Sequence, residues 1–205
     1  MTKNLDRRHW AFTVTFMVAY AILTGTDAAS TLQGIDSGVA QEANPHVGGA
    51  SGTFDLGRFL WINGLVLLVL TGMLVWSLGA RDRIDPRYLD RPGLAFWNWV
   101  YLNPFSARTV PRSAFHYIAN PICILGLKGL ATVNNLLIAK GIPDPITPLA
   151  HGIHGFAPGW LAYWILIFLL WLPFWWPSLA IAAWFLRSGQ RTGVTVGAIP
   201  ATASP

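Results

Sequence analysis

At 205 residues the chain has the length of one domain, yet 53% of it is hydrophobic and only 11% charged, about half the charge of a soluble domain. With 11 Trp, 11 Phe and so few charges it cannot build a water-facing shell, so lipid must surround much of it. The single cysteine, Cys123, excludes an internal disulfide framework and a cysteine zinc site, and the net charge of +5 is distributed as membrane topology requires, not as nucleic-acid binding would.

A transmembrane helix needs about 20 mostly apolar residues. Four stretches qualify: residues 10–28, 56–79, 115–138 and 160–186. The first also has the layout of a cleaved signal peptide, with Lys3, Arg7 and Arg8 ahead of the apolar run and small residues after it. We read it as a retained anchor. The fourth is the longest, and Pro173 and Pro177 around Phe174, Trp175 and Trp176 predict a kink. Between spans two and three, residues 94–101 are too short to cross a bilayer and rich in Trp and Tyr. They predict a helix lying in the headgroup region, or a segment tucked under the bundle.

Threading the spans in order puts eleven cations on one side: Lys3, Arg7, Arg8, Arg81, Arg83, Arg87, Arg91, Arg108, Arg112, Arg187 and Arg191. Arg58 and Lys140 fall on the other, and Lys128 lies within span three. The positive-inside rule therefore predicts cytoplasmic termini in a bacterial or archaeal inner membrane. The expected fold is an all-α integral membrane bundle of four transmembrane helices over residues 1–187, with an interfacial helix in the long cytoplasmic loop. Residues 188–205 form a polar tail with no pattern that packs by itself.

The stretch after span one is the most informative. On a helix Asp27, Thr31, Gly34 and Gly38 share one face, and Ser30, Gly34 and Gly38 form a ladder of small residues that lets a neighbouring helix approach. Proline disfavours helical geometry in the residue before it, so Asn44-Pro45 is the expected helix end. Asp27, Ser30, Thr31, Gly38, Glu42, Asn44 and Pro45 together resemble the motif of the DUF5658 family, small bacterial and archaeal membrane proteins of unknown function. Lys128 matches, by position, a lysine in a later span of that family. The resemblance implies a four-helix membrane fold and brings no reaction with it.

A lysine near the bilayer middle costs at least ~2.5 kcal/mol on insertion scales, so Lys128 should face the bundle and have a partner. Asp27 lies ~25 Å along its helix and Lys128 ~20 Å along its own, an offset that a lysine stem bridges. Glu42 is a second candidate if the chain folds back, and Asn120, Asn134 and Asn135 are expected hydrogen-bonding neighbours. The pair reads as a lock between spans one and three or, alternatively, as the working part of a small transporter or ion-translocating protein.

His9 and His116 fall near the cytoplasmic boundary, and His46, His151 and His154 fall outside. The external three suit zinc or copper with Glu42 or Asp144 as a fourth ligand, or they are solvated loop histidines. Trp164, Trp171, Trp175 and Trp176 lie within span four and would meet a protein partner, a pigment, a quinone or lipid tails. No phosphate-cradling loop, nucleophile elbow or zinc helix occurs, and no cofactor is predicted. The leading expectation is a non-enzymatic accessory or structural subunit of a larger membrane complex of respiratory, photosynthetic or membrane-oxidase type. Asp27, Thr31, Glu42, Asn44 and Lys128 would form its polar core, while span four and the tail meet other subunits.

Overall fold

The computed structural model describes residues 5–38, 54–101 and 109–191. Glu42, Asn44, Pro45, His46 and the tail from residue 192 lie outside the described residues. The elements are α1 (Arg7–Asp36), α2 (Leu56–Gly79), a 3-10 turn (Arg81–Arg83), α3 (Pro86–Asp90), α4 (Gly93–Tyr101), α5 (Thr109–Ala139), α6 (Ile146–His154) and α7 (Gly159–Arg191). Four of these, α1, α2, α5 and α7, are long and apolar enough to cross a membrane. The protein is an all-α bundle of multi-pass membrane type.

Local chemistry sets where the helices start. The side chain of Asp6 accepts the His9 N–H at 3.0 Å ahead of α1, and Asp55 accepts the Arg58 N–H at 2.9 Å ahead of α2. Asp85 does the same for Arg87 at 3.0 Å, with Pro86 in the first turn of α3, where a missing N–H costs nothing. The end of α1 differs from expectation. It runs unbroken past Gly25 but stops at Asp36, well short of Asn44-Pro45. Ser37 caps it, and Gly38 adopts φ +72°, a left-handed conformation that glycine enters without a Cβ clash. Gly38 therefore terminates the helix and does not extend the small-residue face; Ser30 and Gly34 are the buried members of that ladder.

The central helix is α5, which packs against α1, α2 and α7. Its small residues allow this: Ala114 and Ala119 are fully buried, and a Cβ on Gly126 would stand 2.6 Å from Phe174 Cδ1. Around them Phe16, Leu74, Phe115, Ile118 and Leu179 form the apolar core. The outer surface is equally apolar, with Trp61, Leu68, Phe168 and Trp184 all more than half exposed. Water would penalise that surface and hydrocarbon would not. Helix α7 passes through Pro173 and Pro177 without interruption. Polar side chains serve backbone carbonyls in this region, with Ser178 Oγ donating to Phe174 O at 2.6 Å and Cys123 Sγ to Trp171 O at 3.7 Å.

The segment around residues 94–101 is helical, and one side of it is packed under the bundle. Ala95 is fully buried, its carbonyl lies 3.0 Å from His116 Nε2, and the Phe96 ring sits 5.3 Å from that of Trp176. Trp97 stays exposed on the other side.

Candidate functional site

A polar cluster occupies the middle of the bundle, and helical spacing explains its assembly. Tyr20, Asp27 and Thr31 follow one another at seven and four residues on α1, so they share a face. Lys128, Thr132 and Asn135, spaced at four and three residues, likewise share a face of α5, and Asn63 projects from α2. Lys128 Nζ donates to Asp27 Oδ2 at 3.1 Å and to Asn63 Oδ1 at 2.8 Å. Tyr20 O–H donates to the same Asn63 oxygen at 3.1 Å, while Asn63 Nδ2 donates to Phe59 O at 2.9 Å within α2. Asn135 Nδ2 donates to the other carboxylate oxygen, Asp27 Oδ1, at 2.8 Å and to Thr31 Oγ1 at 3.1 Å. Thr132 Oγ1 reaches the α1 backbone at Leu23 O, 3.3 Å away.

Both carboxylate oxygens of Asp27 are thus filled, and two of the three ammonium donors of Lys128 are placed. Its Nζ also lies 5.4 Å from the Tyr20 ring centroid and 5.3 Å from that of Phe59, where the ring quadrupoles attract a cation. The two charged side chains are only 10% and 12% exposed. A buried ion pair is tolerable when further hydrogen bonds help to satisfy its remaining lone pairs and protons, and Asn63 and Asn135 each supply one. Chemically the cluster holds an ammonium against a carboxylate. Among the described residues it presents no nucleophile–base pair and no pair of carboxylates.

The structure joins Asp27, Thr31 and Lys128, together with Asn135 from the expected neighbours. Asn134 is buried, but its Oδ1 has no partner among the described residues, and Asn120 is only half-buried outside the cluster. Asn63 and Tyr20 were not foreseen. An amide inside an otherwise apolar second span was the available signal for Asn63; Tyr20 offered only its seven-residue spacing from Asp27.

The histidines are separated. His151 and His154 lie one turn apart on α6, both exposed, and His46 is outside the described residues. Asp144 is engaged at the start of α6, accepting the N–H groups of Ile146 at 3.0 Å and Thr147 at 2.7 Å. Burial pushes the Asp144 carboxyl up, and these N–H bonds outweigh that effect and hold it below the usual aspartate value. Among the described residues no group of three or more His, Cys, Asp and Glu side chains could hold a metal ion. His9 and His116 are both buried, near the start of α1 and in the first third of α5.

The aromatic residues of α7 divide between two faces. Trp164 is exposed with Trp160 and Phe168 along one stripe of the outer surface, and Trp176 is exposed on one side while its ring packs against Phe96. Trp175 cannot meet a partner: it is 3% exposed, stacked on Trp171 at 4.5 Å and close to the His116 ring at 5.2 Å. Trp171 is half-buried against the core. On a straight helix Trp175, eleven places from Trp164, would share its face, yet it is buried with Leu179 and Ala182, so simple spacing does not predict its side.

No family model, curated protein or solved structure matches this chain.

Proposed function

We propose that the chain is a non-enzymatic accessory or structural subunit of a larger membrane complex, with both termini in the cytoplasm of a bacterial or archaeal cell. The observation that carries this reading is that the Lys128–Asp27 pair is held on both sides: Asn63 accepts from the ammonium and Asn135 donates to the other carboxylate oxygen, as a structural lock requires. A pair closed in this way acts as a strut between α1 and α5. The outward residues Trp160, Trp164 and Phe168, at successive i, i+4 spacing on α7, form an apolar stripe for a neighbouring hydrophobic helix. Assemblies of respiratory, photosynthetic or membrane-oxidase type contain such helices.

The test is purification in a mild detergent followed by mass spectrometry of copurifying chains. A stoichiometric membrane partner supports the proposal, and a protein that runs alone refutes it. Ion flux in proteoliposomes that disappears in Lys128→Met protein, with the bundle still folded, would instead make the pair working machinery.

A further inference from the structure

A cavity of about 650 Å³ opens where α1 begins and α7 ends. Its size is that of a small-molecule site, ~300–1,000 Å³. Three segments distant in sequence build it. Asp6, Arg7 and Arg8 come from the start of α1, Arg81 and Asp82 from the 3-10 turn, and Leu89 of α3 and Leu186 of α7 contribute apolar walls.

The charge in the cavity leans positive. Asp6 is already committed, accepting the His9 N–H at 3.0 Å and lying 2.8 Å from His9 Nδ1. The guanidiniums are only partly used. Arg81 Nη1 donates to Leu78 O at 2.9 Å, and Arg8 Nη2 donates to Phe185 O at 2.5 Å and to Ser188 Oγ. A guanidinium has five N–H donors, so both keep donors for a ligand, and Arg7 is exposed.

Depth selects the ligand. Trp10 near the start of α1, and Trp76 and Trp184 near the ends of α2 and α7, are exposed, and exposed tryptophans at span ends sit at the headgroup level. The cavity shares that level, with cations at its rim and leucines behind them. Lipid phosphates occupy the same layer of the bilayer.

We propose that this cavity binds the phosphate headgroup of an anionic phospholipid, with Arg7, Arg8 and Arg81 on the phosphate oxygens and Leu89 and Leu186 against the adjoining glycerol and acyl carbons. The planar arginine fork matches phosphate geometry, and basic pockets between transmembrane helices suit anionic headgroups. A free phosphate shares the chemistry but has no use for the apolar walls. The site does not depend on the chain being a subunit of anything.

Full-length protein in mild detergent, stripped of lipid, is titrated with phosphatidylglycerol or phosphatidylcholine and read by native mass spectrometry. The expected result is preferential retention of phosphatidylglycerol. That preference falls roughly thirtyfold in Arg7→Gln/Arg81→Gln protein, at about fivefold per guanidinium lost near a membrane surface. Arg58→Gln, at the opposite end of α2, leaves it unchanged. Among the described residues Arg7 makes no helix-end contact of the kind Arg81 makes, so Arg7→Gln alone carries the test at about fivefold if the double variant misfolds. Equal retention of the two lipids, or retention unaffected by Arg7→Gln, overturns the proposal. Displacement of the lipid by millimolar inorganic phosphate overturns it in favour of a soluble phosphate ligand.

Discussion

Replacing Lys128 with methionine keeps the volume and removes the charge, leaving the Asp27 carboxylate with Asn135 as its remaining partner. The lost attraction follows from the 3.1 Å separation: at an effective dielectric of about 20, opposite unit charges at that distance attract by about 5 kcal/mol. Asn63 Oδ1 also loses its ammonium donor and keeps only the Tyr20 hydroxyl. Breaking one side of a buried pair typically costs about 3–5 kcal/mol, and the expected loss here falls in that range. The pair removed together behaves differently. Asp27→Leu/Lys128→Met leaves no stranded charge, and the remaining Asn135–Thr31 and Tyr20–Asn63 bonds survive, so at least about 2 kcal/mol should return. Reversible unfolding in mixed micelles, followed by tryptophan fluorescence, measures all three proteins. A Lys128→Met variant within about 1 kcal/mol of wild type, or a double variant no more stable than the single, would refute the strut.

Three further outcomes are expected. Asn135→Ala removes two interhelical bonds, at 2.8 and 3.1 Å, and should lower unfolding stability by about 1–2 kcal/mol in the same assay, since such bonds contribute roughly 0.6 kcal/mol each on average and Asp27 Oδ1 is left unpaired. Gly126→Ala places a methyl 2.6 Å from Phe174 Cδ1, so Phe174 or the α5–α7 spacing must shift, at about 1–3 kcal/mol; a thermal midpoint equal to wild type would show that the ring moves freely. Asp144, whose carboxyl is held below the usual aspartate value, stabilises the start of α6 in its ionised form. That contribution is complete above the unfolded value of about 3.9 and is lost as pH falls through the folded one. Amide NMR signals of Ile146 and Thr147 should therefore be constant from pH 7 to pH 5 and change below about pH 4, and Asp144→Ala should abolish the dependence at a cost near 1 kcal/mol.

Composition and hydropathy were enough to find the four long apolar helices, because crossing hydrocarbon demands a long apolar run and leaves few alternatives, though α1 and α5 begin three and six residues earlier than the apolar runs do. The partnership of Asp27 and Lys128 was legible for a related reason: a buried ammonium needs an anion, and rise per residue limits which one lies at its depth. What the letters could not settle was rotation about the helix axes. Asn63 joined the cluster, Asn134 and Trp175 turned toward the bundle interior, and Trp176, though exposed, packs against Phe96, leaving Trp164 as the outward tryptophan of the four. In a membrane both faces of a helix are apolar, so hydropathy carries no inside–outside contrast and close packing decides which side faces in. The end of α1 at Gly38 has a similar cause. A proline sets only the last point a helix can reach, whereas a glycine able to adopt positive φ stops it earlier once the surrounding backbone favours the turn.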